Sequence, residues 1–226
     1  MNEDILLLLR KRRGWDQALE NLVRLHGSHG QDAKTRAAQY ADVYRGRRAS
    51  MVFDVVTSRQ RDYLKRIVPW VAIFQQDPAA VRLASLAELG PPSNFSLRKG
   101  EADTMRQVAS GLLMFGADMG HGDDNEAVEG WAGTVGPLEV APALDPYVGA
   151  VKGIGIALFC YMRMRAGADA LKPDGRVRKA LTNLGFELPD GEAALLVIAS
   201  ALAQELGISR LVLDQLLWWA GGSPEA

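Results

Sequence analysis

The stretch Val151–Leu181, VKGIGIALFCYMRMRAGADALKPDGRVRKAL, sets a Gly-x-Gly turn between apolar runs and then, nineteen residues after the second glycine, places Asp174 in a basic segment. The turn is Lys152-Gly153-Ile154-Gly155, and the flanking pattern predicts a short helix before it and a second helix from about Ile156. Two glycines allow a sharp turn and close backbone approach. The free amides opening the second helix then face outward, where their partial positive charge favours a phosphate. A dinucleotide fingerprint is excluded by the missing third glycine and preceding strand, and a nucleotide phosphate loop by the missing Gly-Lys-Ser/Thr. Alone, the turn is more simply a helix–helix connection. Pro173-Asp174 precedes a helical pattern, so Asp174 is an N-cap by residue type.

Outward from this stretch, apolar residues recur at three- and four-residue spacings. WDQALENLVRLHG places Trp15, Leu19, Leu22 and Val23 on one face and predicts a helix ending at Gly27. MVFDVVTSRQRDYLKRIVPWVAIF is β-rich by propensity at its start, but the pattern through Tyr63, Leu64 and Ile67 predicts a buried helix. Similar patterns fill ADTMRQVASGLLMFGADMG, GEAALLVIASALAQELG and SRLVLDQLLWWAG, with Asp190 and Ser209 as expected caps. ELGPPSNFSLRKG and GHGDDNEAVEGWAG read as loops. With no alternating strand, repeat or linker composition, the expectation is an all-α fold in one unit spanning residues 1–226.

Composition bounds the chemistry. Net charge is −1, so any hold on nucleic acid comes from local patches such as RKRR at Arg10–Arg13, RGRR at Arg45–Arg48 and RVRK at Arg176–Lys179. The single cysteine, Cys160, rules out an intrachain disulfide, a cysteine-only zinc site and a cysteine-held iron–sulfur cluster. No apolar run has bilayer length and the start lacks the order of a secretory signal, so a cytoplasmic protein with no membrane partner is expected. MNEDILLLLRKRRGW reads instead as an amphipathic helix. His26, His29 and His121 match no zinc spacing, and neither metal nor cofactor is expected.

Gly153 and Gly155 followed by Asp174, Val177, Leu181, Leu184 and Gly185 resemble the helix-hairpin-helix DNA glycosylase superfamily. Its Gly-x-Gly hairpin is followed at about this distance by an essential aspartate opening a helix of the form D-x-x-V-x-R-x-L-x-x-L-G, with Lys179 here at the second basic position. The likeness covers about residues 45–220, with strong local motifs and weak similarity between them. It implies two interleaved helical lobes sharing the terminal segments, a helix-hairpin-helix over about 145–166, and a cleft between the lobes beside Asp174. A base flipped from double-stranded DNA would enter that cleft. Asp174 would be the catalytic carboxylate, stabilising positive charge on the sugar and directing water. Lys152, Gly153, Ile154, Gly155 and Arg176 would contact DNA.

Gln60 matches the family's base-facing polar position approximately, an exposed helix glutamine being the plainer alternative. Trp131 is a candidate to stack on a base, or else a core anchor for its loop. Family members that also cut the strand carry a lysine two residues after the second hairpin glycine. Ala157 stands there, so the resemblance implies a monofunctional enzyme that leaves an abasic site; a monomer is expected. The competing readings are a helix-hairpin-helix DNA-binding module without base excision and an all-α interaction protein. No motif specifies which base is removed.

Overall fold

The computed structural model describes residues 3–134 and 136–221, and among them the chain forms α-helices, 3₁₀ turns and one π-helical turn, with no β-strand. The helices are α1 Glu3–Arg10, α2 Trp15–Tyr40, α3 Arg48–Thr57, α4 Val68–Phe74, α5 Leu83–Leu89, α6 Glu101–Met119, α7 Asp124–Gly133, α8 Ala141–Leu144, α9 Ile156–Arg165, α10 Gly175–Leu184, α11 Glu192–Leu206 and α12 Arg210–Ala220. The all-α class expected from periodicity is the class observed. The chain divides into two compact units, one of Met1–Tyr40 with Asp169–Ala226 and one of Ala41–Ala168.

In the unit made from the chain ends, α2 packs along α12 and α10. The helix continues through Gly27, where the sequence pattern predicts its end. A glycine inside a helix costs about 1 kcal/mol against alanine, less than the packing of a buried face returns. Trp15 meets Phe186 edge to face at 5.1 Å, and Asn21 donates to the Leu184 carbonyl, holding the end of α10. Ser209 caps α12 as expected, accepting from the Val212 N–H. Asp190 does not cap α11, because that helix begins later, after Gly191, with no side-chain cap.

In the other unit all ten residues of α3 are buried, which is why its β-branched run forms a helix: there is no exposed face to pattern. Phe53 stacks on Phe74 and tilts against Phe95, while α6 packs on α3, α5 and α7. Inside α3 the buried Asp54 accepts from Tyr44 (2.7 Å) and Tyr161 (3.0 Å), and Arg165 Nε lies 3.3 Å away. Burial, and then the Asp54 charge, hold the Tyr44 hydroxyl far above the ordinary phenol range. The segment Asp124–Gly133, expected to be loop, is α7. Asp123 accepts from the Asn125 and Glu126 amides, and Glu126 reaches back to the Gly122 N–H. That reciprocal cap has its spelling in DDNE, an acidic cap residue followed three places later by a glutamate.

Among the described residues no single helix is long and apolar enough to cross a membrane, and the pair α11 and α12 that together has the length is bent by 98°.

Candidate nucleic-acid interface and carboxylate site

The hairpin differs from expectation on its first side. Residues 146–150 form turns rather than a helix, so the expected helix-hairpin-helix over 145–166 is a turn, a hairpin and a helix. Asp145 organises the turn, accepting from the amides of Tyr147 (3.2 Å), Val148 (3.1 Å) and Gly149 (2.8 Å) and from the Trp131 indole (3.1 Å). The Ile154 amide then closes onto the Val151 carbonyl at 3.0 Å. Buried Ile154 pins the hairpin, leaving Lys152, Gly153 and Gly155 exposed.

The two glycines do different work. Gly153 has φ +99°, and a Cβ there would stand 2.9 Å from Thr104 Oγ1. Gly155 is extended backbone, and a Cβ there would meet open space. Gly155 opens α9 without a side-chain cap, so the first-turn amides of that helix lack the side-chain acceptor that caps α7 and α10.

Gln60 lies in an exposed turn after α3, before the π-helical turn Tyr63–Ile67. Its φ of +51° makes it the one non-glycine with positive φ among the described residues. A glutamine there is strained by roughly 1–2 kcal/mol, and such strain collects where a side chain must be aimed. Arg98 holds the turn from outside, donating to the carbonyls of Arg59 (2.9 Å) and Gln60 (3.1 Å). Arg61 makes a buried bidentate pair with Glu101, both contacts 2.7 Å, and Glu101 also accepts from the Arg98 amide.

These details join the Gln60 turn to the hairpin. Glu101 anchors the turn, and Thr104, three residues on, lies 2.9 Å from the Lys152 carbonyl. Residues three apart on a helix share a face, so both elements are fastened to the first turns of α6. The sequence offered no signal for this, since the fastening residues lie in neither motif.

In the unit made from the chain ends, Asp174 is the N-cap of α10. Its Oδ1 accepts from the Arg176 amide (3.0 Å) and the Val177 amide (3.1 Å). Its Oδ2 faces Lys172 Nζ at 3.4 Å, and the side chain is 26% exposed. Oδ1 is committed to the helix, whereas Oδ2 lies outside the cap, where its partner is the Lys172 ammonium. Arg176, expected at DNA, instead directs its guanidinium to Asp214 Oδ2 (3.1 Å) and lies 4.2 Å over the Trp218 ring. Asp214 is 1% exposed; burial pushes its carboxyl above the usual carboxylate range against the opposing pull of Arg176, and the Asp174 charge adds to the rise.

Trp131 presents no face to a base. It is 1% exposed, edge to face with Phe159 and covered by Arg163 at 5.2 Å, because its indole N–H is needed by Asp145. The core-anchor reading is the one its surroundings match. Among the described residues no three His, Cys, Asp or Glu side chains group as metal ligands; His29 stacks on Trp219 and His121 on Phe115.

No family model, no curated protein and no solved structure matches the chain.

Proposed function

We propose that the chain is a monofunctional DNA N-glycosylase, which extrudes a damaged or modified base from double-stranded DNA and hydrolyses its N-glycosidic bond to leave an abasic site. The observation that carries this reading is the fastening of the Gln60 turn and the Gly153–Gly155 hairpin to one helix start. Two elements that the resemblance assigns to DNA independently are thereby held on a common support. The hairpin offers exposed backbone and the uncapped start of α9 to a phosphate, with Lys152 beside it. Gln60 is the wedge that fills the stack when the nucleotide leaves it. Extrusion costs a few kcal/mol, least for a damaged or mispaired base, so selection starts before chemistry.

The chemistry falls to Asp174. As the bond between C1′ and the base lengthens, the departing base takes the electron pair and positive charge builds on the sugar. Its Oδ2, outside the cap and facing the Lys172 ammonium, opposes that charge and takes a proton from the water that adds to C1′. Ala157, in the first turn of α9, has no amine to form a Schiff base. The protein works as a monomer in a reducing, cytoplasmic compartment, with Cys160 a buried thiol.

The test is a panel of duplexes carrying uracil, alkylated, oxidised or bulky modified bases, incubated with protein and chelator. The expected product is a free base and a strand that stays intact until alkali cleaves it, with no adduct trapped by borohydride. Binding without release across the panel supports the DNA-binding module instead. A borohydride adduct that vanishes in Lys172→Ala would show that Lys172, beside Asp174, has taken over the missing amine's role.

A further inference from the structure

Asp174 sits in a reciprocal clamp whose far jaw lies on another helix. Lys172 gives its ammonium to Asp174 (3.4 Å) and its backbone N–H to Asp214 (3.2 Å). Arg176 does the converse, giving its backbone N–H to Asp174 (3.0 Å) and its guanidinium to Asp214 (3.1 Å). The residues two before and two after Asp174 are thus both held by one carboxylate from α12. Asp214 Oδ2 also accepts from Gln215 Nε2 at 3.1 Å, and Trp218 on the same helix supports the Arg176 guanidinium from its open face. Burying a carboxylate is costly, and it persists where donors converge on it. Here the converging donors are the two residues whose placement decides where Asp174 Oδ2 points.

We propose that Asp214 is a positioning residue for Asp174: it never touches DNA, and it fixes the Lys172–Arg176 segment so that the Asp174 oxygen outside the cap is aimed. The clamp also explains why the guanidinium of a basic residue two places after Asp174 turns to Asp214. Its charge serves the carboxylate site rather than a phosphate. This proposal rests on the glycosylase reading for its catalytic consequence, while its structural content stands without that reading.

The experiment compares wild type with Asp214→Asn, which keeps the side-chain volume and one acceptor and removes the charge. Single-turnover base release on the substrate found by the panel should fall about ten- to a hundredfold, as expected when a reacting group is misaimed by a fraction of an ångström. Affinity for the same duplex should stay within about threefold, because binding does not depend on the aim of Oδ2. Amide exchange at Lys172, Arg176 and Val177 should quicken at least about tenfold while α11 amides such as Leu202 keep their protection. Arg176→Gln should reproduce both effects, and combining it with Asp214→Asn should add little, since each opens the same clamp. Unchanged exchange at Lys172 and Arg176 overturns the clamp. Quickened exchange with undiminished base release overturns the catalytic role. If wild type releases no base from any duplex, the glycosylase reading fails and exchange alone decides the clamp. Should Asp214→Asn not fold, Arg176→Gln carries the same measurements, Arg176 being partly exposed.

Discussion

Gly153 and Gly155 look interchangeable in the sequence, and the structure separates them. At Gly153 the backbone is left-handed and Thr104 crowds the missing Cβ, so Gly153→Ala should cost about 1–2 kcal/mol of stability, read as a lower midpoint in urea. At Gly155 the backbone is ordinary and the space open, so Gly155→Leu should unfold like wild type. It should still weaken duplex binding for every sequence alike, because the added side chain covers the amides that open α9. A Gly155→Leu variant that binds normally would remove the hairpin from the DNA surface. Asp174 shows the same limit of reading from residue type. Its spelling after Pro173 announced the cap, and the cap is there. That one oxygen caps while the other stays outside the cap, facing Lys172, depends on where Lys172, Arg176 and Asp214 sit, which no local pattern states.

Among elements, the long periodic helices were legible because burial of one face leaves its period in the sequence, as in α6 and α12. The failures have physical causes. α2 passes its glycine because contacts with α10 and α12 outweigh a local penalty, and the first hairpin helix is replaced by turns because Asp145 takes three amides that a helix would leave to water. The Gln60 turn carries a further expectation. Its positive φ is a strain that glycine would relieve, so Gln60→Gly should stabilise the fold by up to about 1 kcal/mol. Base release should nonetheless fall by about tenfold or more, because the stack is left unfilled when the nucleotide is extruded. A variant that is stabilised and fully active would make the strain a structural accident and Gln60 an ordinary turn residue.

For the whole molecule, net charge is near zero, so under the proposed function recognition falls to local geometry: the Gln60 turn, Arg98 and the hairpin gathered at the start of α6 in one unit, Asp174 and its clamp in the other. The all-α class followed from sequence because no segment alternates with period two, whereas the joining of the Gln60 turn and the hairpin through Glu101 and Thr104 and the far jaw at Asp214 depend on contacts between segments distant in the chain. In the proposed function, the Asp174 oxygen outside the cap does the chemistry. Asp174→Asn tests it cleanly, because asparagine caps a helix as well as aspartate and the fold should survive. Single-turnover base release, measured beside duplex affinity on the same preparation, is predicted to fall by at least about a hundredfold with affinity unchanged within about threefold. Near-normal base release by Asp174→Asn would contradict the account and leave Asp174 a helix cap and nothing more.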